Sequence, residues 1–216
     1  MPSSRSATPA AVRWLGRLRF TLALEVALLG VALALGLFEP GVGARWSEGF
    51  GFGWPSLRDG RLETLVVSTF LCESRSQWLR IAWITALGVG PLELRQGGGW
   101  ALLCFAATNA LSALLAALIQ AATAFFAPGA AFAHAVDVGA SAGAYGCLAC
   151  WIELLAPPWR QRARVSAALY LVLKPLAVPA PLGDATHALA WLMGLLLGRA
   201  LARRGTAAPP AVETVP

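Results

Sequence analysis

The sequence predicts an all-α membrane protein built as a bundle of six transmembrane helices, and three observations carry that prediction. Of 216 residues, 57% are hydrophobic and only 13% charged, against roughly 25% charged in a soluble domain. A water-facing fold of this composition would expose large apolar patches. Apolar runs long enough to cross a bilayer recur along the chain, parted by polar, Gly- or Pro-containing breaks. Finally, arginines gather at the edges of these runs rather than along one face.

The first span is expected at Phe20–Phe38, after Arg13, Arg17 and Arg19. It lacks a small-residue cleavage site and is long enough to cross, so it reads as a span and not a removable signal. A long connection, Glu39–Gly60, follows, rich in glycine and in aromatics (Trp46, Phe50, Phe52, Trp54). Connections of this length inside a compact domain are usually functional or disordered, and interleaved aromatics suit the membrane interface. The apolar region Leu62–Gly90 is interrupted by Cys72–Arg80, which puts the second span at Gln77–Gly90. The third is expected at Trp100–Phe126, the fourth at Gly139–Leu155, the fifth at Val165–Val178 and the sixth at Asp184–Ala202. Trp14, Trp46, Trp54, Trp100 and Trp159 flank spans and suit interfacial anchoring. Residues 1–13 and 203–216 are polar and read as disordered ends around a membrane domain at 14–202.

The formal net charge of +6 comes almost entirely from arginine, Lys174 being the only lysine. Nucleic-acid binding calls for a basic face, and this pattern does not provide one. Six spans put both ends of the chain on one side. Arg5, Arg13, Arg17, Arg19, Arg95, Arg160, Arg162, Arg164, Arg199, Arg203 and Arg204 all fall on that side, so both termini are expected in the cytoplasm.

Nucleophilic or ionisable groups inside spans point to function by default. Cys147 and Cys150 form CxxC, but no second ligand pair accompanies them, and buried apolar cysteine accounts for them. No metal or cofactor is expected. Ser141 lies in Gly139-Ala-Ser141-Ala-Gly143-Ala-Tyr145-Gly146. GxSxG is the nucleophile elbow of α/β hydrolases, but nothing here supplies their sheet. Close helix packing through Gly139, Gly143 and Gly146 is the competing explanation. His187 is followed by Ala190, Gly194 and Gly198 at three- and four-residue steps, a face able to approach another helix closely. If that face meets the small face of the fourth helix, the imidazole reaches the Ser141 hydroxyl. Serine needs such a neighbouring base, and imidazole serves as base and then acid. Asp137 and Asp184 precede the fourth and sixth helices and are expected to cap them.

Together these residues resemble the rhomboid family of intramembrane serine proteases. Gly90-Pro-Leu-Glu93-Leu-Arg-Gln-Gly97 is similar to its GxxxExxxG-type signature after the second helix. Gly139-Ala-Ser141 resembles the nucleophile motif, Tyr145 the aromatic residue that packs on the histidine, and His187 with Ala190 and Gly194 the sixth-helix motif. The resemblance covers about residues 20–202. It implies an endopeptidase of the bacterial inner (cell) membrane that cleaves membrane-anchored or transmembrane substrates through a Ser141–His187 dyad, supported by Tyr145 and Gly139. Substrate would enter laterally between the second and fifth helices, beside a half-submerged first loop. Its partners would be those substrates and the lipid bilayer, with no nucleic acid.

The sequence departs from the family at several points. Ala142 stands where glycine usually follows the serine. Gln77 and Ile81 stand where the family has the His and Asn that hydrogen-bond the oxyanion, and Cys72 where a further histidine often sits. Gln77 is the candidate replacement donor, since it carries an amide N–H. His134 is expected to be a solvated loop residue. A catalytically inactive rhomboid-like protein that binds transmembrane segments is the alternative reading. An unrelated transporter is disfavoured, because no internal repeat is present.

Overall fold

A computed structural model describes residues 16–206. The expected disordered ends fall largely on residues 1–15 and 207–216, outside the described residues. The described chain is all-helical: α1 (Arg19–Ala34), α2 (Val42–Phe50), α3 (Trp54–Arg58), α4 (Thr64–Val67) with a 3-10 turn at Ser68–Phe70, α5 (Arg75–Gln96), α6 (Gly98–Phe126), α7 (Ala131–His134), α8 (Ser141–Glu153), α9 (Pro157–Ala177) and α10 (Pro181–Thr206). No strand forms among the described residues; Phe52 and Asp137 pair as an isolated antiparallel bridge.

α6 and the Pro181–Arg204 part of α10 are long and apolar enough to cross a membrane by length and composition, with mean hydropathy 2.1 and 1.3. Only 33% and 28% of their apolar windows are buried inside the protein, so the remaining apolar surface faces outward. Phe125, Phe126 and Leu103 of α6 are 81%, 83% and 57% exposed. A soluble core helix would bury these side chains.

Helix ends differ from the expected spans in an informative way. α9 starts at Pro157, well before Val165, because proline suits the first helical positions and Arg160, Arg162 and Arg164 are good helix formers. α5 runs through Pro91 to Gln96, past the expected Gly90. α10 runs past Ala202 to Thr206. α1 stops at Ala34, short of Phe38. The connection expected as a loop is instead folded into α2, α3 and α4.

α8 is the centre of the bundle. α5, α6 and α10 pack round it, and its Ala142, Ala144, Cys147, Ala149 and Cys150 are at most 5% exposed. Glycine makes these approaches possible. A Cβ on Gly143 would lie 2.7 Å from the Phe105 ring, and one on Gly198 would lie 2.7 Å from Glu153 Cβ. Gly194 of α10 sits directly on the Gly146 carbonyl, and Gly88 of α5 on that of Ala144. α9 is attached differently: none of its residues is buried, and Tyr170, Glu153–Arg164 and Lys174–Asp184 hold it to the bundle.

Two polar anchors fix the layout. Glu93, 2% exposed, accepts from Phe20 N–H (2.8 Å), Thr21 N–H (2.8 Å) and the Thr21 hydroxyl (2.7 Å), closing the first turn of α1. An α-helix leaves its first N–H groups unpaired, and a carboxylate there also suits the helix dipole. At the same end, buried Glu153 binds Arg164 of α9 and Arg199 of α10. Arg45, Arg58, Arg61, Arg75 and Arg80 lie at the opposite end, on α2, α3, the α3–α4 link and the start of α5. They moderate the arginine asymmetry read from the sequence without reversing it.

Candidate active site

Ser141 is the first residue of α8. The chain enters it through Gly139, whose φ of +111° lies in the left-handed region and whose N–H donates to Ser68 O at 2.7 Å. A Cβ on Gly139 would lie 2.6 Å from Ile81 Cδ1. Glycine is favoured here by the backbone turn, and its bare Cα lets the Ile81 side chain of α5 rest against it.

His187 lies near the start of α10. Its Nε2 is 2.8 Å from Ser141 Oγ. The Tyr145 ring, one turn along α8 from the serine and 7% exposed, packs on the imidazole with centroids 4.6 Å apart and planes at 45°. The contact expected between small faces is present: Ala190 is fully buried and Gly194 and Gly198 sit on Gly146 and Cys150 of α8. Ser141, His187, Tyr145 and Gly139 thus come together.

Gln77 is engaged elsewhere. The Ser74 hydroxyl caps α5 by accepting from Gln77 N–H at 3.2 Å, and the Gln77 side-chain carbonyl accepts from Glu73 N–H at 2.5 Å. This resembles a capping box. Gln77 makes no hydrogen bond to Ser141 or His187. Ile81 packs on Gly139 instead. His134 is exposed and bonds the Pro128 carbonyl at 2.8 Å through Nε2.

Several site residues went unrecognised in the sequence. Asn109 of α6 accepts from Gly143 N–H at 3.1 Å, serving a first-turn donor of α8, and donates to the Thr69 hydroxyl at 2.9 Å. Gln120 accepts from Trp54 N–H at 2.8 Å and donates to Phe132 O and Ala135 O, so α6 ties down the connections on both sides of the site. An Asn and a Gln inside an apolar span were the available signal. With Asn109 on Gly143 and Ala144 N–H on Ala140 O, the N–H groups of Ser141 and Ala142 are the first-turn donors of α8 with no acceptor inside the helix.

Asp137 does not cap α8 as expected: its carboxylate accepts from no N–H of that helix, whose Gly143 N–H is taken by Asn109. Its Oδ1 accepts from Val138 N–H at 3.0 Å and its Oδ2 from the Thr186 hydroxyl at 2.8 Å. Burial, above the opposing effect of those hydrogen bonds, raises its pKa to about 6. Asp184 stands in the first turn of α10, accepting from Ala180 N–H at 2.9 Å and pairing with Lys174. Beside Ser141 lies a cavity of about 20 Å³ walled by Ser68, Asn109, Asp137, Gly139, Ala142 and Thr186, room for about one water. Cys72, Cys104, Cys147 and Cys150 are buried free thiols, and no group of three or more His, Cys, Asp or Glu able to hold a metal is found among the described residues.

Comparison with models of known protein families, with curated proteins and with solved structures finds no match to this chain.

Proposed function

We propose that this chain is a rhomboid-like intramembrane serine endopeptidase, crossing the bacterial inner membrane six times with both termini in the cytoplasm. The observation that carries the reading is the 2.8 Å contact between Ser141 Oγ and His187 Nε2 at the start of a buried helix. Surface serine–histidine contacts are ordinary; one held under a tyrosine ring between glycine-packed helices is pre-oriented for catalysis. The spans would be α1, α5, α6, α8, α9 and α10. α8, with 13 residues, is about 20 Å long and shorter than a bilayer core of about 30 Å. With its C-terminal end near the cytoplasmic face, Ser141 lies roughly 10 Å below the outer surface.

With its proton on Nδ1, His187 accepts the Ser141 proton at Nε2 as Oγ bonds to the scissile carbonyl carbon. The oxyanion that forms falls at the N-terminus of α8, where the Ser141 and Ala142 N–H groups and the helix dipole stabilise it. As the C–N bond breaks, His187 returns the proton to the leaving amine. Water then attacks the acyl-enzyme, with His187 again as base, and frees the carboxylate product. Substrate would enter between α5 and the lightly held α9.

One observation favours the alternative, a rhomboid-like protein that binds transmembrane segments without cutting. The side chains at the family's oxyanion positions make no hydrogen bond to the dyad: Gln77 Oε1 accepts from Glu73 N–H, and Ile81 packs on Gly139. Loss of one oxyanion donor costs about 10²–10³ in rate, so backbone donors alone predict a slow enzyme. The test is cleavage of a single-span substrate by purified protein in liposomes beside Ser141→Ala and His187→Ala. Cleavage that both substitutions abolish supports the protease. Binding of the span without cleavage by the intact protein supports the alternative.

A further inference from the structure

Asp137 is a buried carboxyl that the dyad chemistry does not use, and it joins three parts of the fold. Its backbone pairs with Phe52 in both directions, Phe52 N–H to Asp137 O at 3.0 Å and Asp137 N–H to Phe52 O at 2.9 Å. Its carboxylate takes the Val138 N–H, shaping the turn that leads through Gly139 to Ser141. Its other oxygen takes the Thr186 hydroxyl at 2.8 Å, in competition with Gly183 O at 2.9 Å one turn earlier in α10. Thr186 is 2% exposed and immediately precedes His187 in α10. One side chain thus links the segment that delivers the nucleophile to the residue beside the base.

We propose that Asp137 and Thr186 form a strut that sets the Ser141–His187 spacing, making Asp137 a positioning residue of the site. This rests on the serine–histidine reading above. Ser141 lies four residues after Asp137, and the Asp137–Thr186 hydrogen bond joins that turn to α10 one residue away from the Ser141–His187 contact itself. A hydroxyl-to-carboxylate hydrogen bond is charge-assisted and directional, so it adds a fixed polar tie to the glycine packing that brings α8 and α10 together. Burial disfavours the charge of the Asp137 carboxylate. Of the charged groups acting on it, Glu73, just before α5, disfavours ionisation and Lys174 of α9 favours it.

The test is the rate of Ser141 acylation by a fluorophosphonate on the full chain in detergent, with thermal midpoints measured in parallel. Thr186→Val removes the hydroxyl at nearly constant shape, and Thr186→Ser keeps it. The expected result is a fall of at least tenfold with Thr186→Val and with Asp137→Ala, near-native labelling with Thr186→Ser, and no further loss in the double variant Asp137→Ala/Thr186→Val, because paired residues are non-additive. In substrate cleavage the same variants lower kcat and leave KM unchanged. Native labelling by folded Thr186→Val overturns the strut, as does a double variant in which the two losses multiply. Labelling that persists in Ser141→Ala instead overturns the reading of the site on which the strut depends.

Discussion

Replacing Gly194 by alanine tests the packing that brings the dyad together. A Cβ there would lie 2.8 Å from Ala149 Cβ and closer still to the Gly146 carbonyl. Backbone cannot yield as a flexible side chain does, so α10 must move away from α8 or pivot by roughly 1 Å to regain van der Waals distance, at a cost of about 1–3 kcal/mol. His187 rides on the same helix, two turns earlier. The same displacement carries the 2.8 Å Ser141–His187 contact beyond the roughly 3.2 Å reach of a working nucleophile–base pair. A 1 Å misplacement costs about a hundredfold in rate. The assay is fluorophosphonate labelling of the folded protein, with Gly30→Ala as control, since nothing lies within 4 Å of a Cβ on Gly30. Labelling of Gly194→Ala at the wild-type rate would refute the claim that glycine-mediated packing positions the base.

Two further predictions concern stability. Glu93→Ala leaves the Phe20 and Thr21 N–H groups at the start of α1 without their acceptor, costing about 3 kcal/mol; the thermal midpoint in detergent falls by roughly 5–10 °C, and Glu93→Gln, which keeps one acceptor, recovers part of it. Asp137 carries a pKa raised by burial to about 6, so the folded state binds its proton more tightly than the unfolded chain. Its contribution to stability is full below about pH 4, the unfolded value, and is lost as pH rises through about 6, a change of about 3 kcal/mol at most. From pH 4 to 7.5 the thermal midpoint of the wild type falls relative to that of Asp137→Asn, which does not titrate; parallel curves would contradict the assignment.

How far the sequence reveals this molecule depends on which physical signal each part leaves. Hydropathy located α6 almost to the residue, because its apolar run and its helix coincide. It misplaced the start of α9, because Arg160, Arg162 and Arg164 continue the helix beyond its apolar part. It left α2, α3 and α4 unseen, because their helices are short and held by contacts distant in sequence, such as Trp54 N–H on Gln120. The serine and histidine were legible from small-residue spacing, which dictates which faces can meet; the tyrosine was legible only through the resemblance to the rhomboid family. Asn109, Thr186 and the true role of Asp137 were not. Their partners are Gly143, Asp137 and Val138 with Thr186, and only the folded arrangement of α6, α8 and α10 brings most of them within reach. Gln77 shows the converse, a residue whose place in a motif suggested one donor role and whose hydrogen bonds serve a helix cap.

The most direct test of the central claim is to expose the purified, folded protein to a fluorophosphonate and map the adduct by mass spectrometry. A working serine–histidine pair gives a single adduct on Ser141, lost in His187→Ala although that variant keeps its fold. Absence of any adduct on folded wild-type protein, or equal labelling of Ser141 without His187, would contradict it.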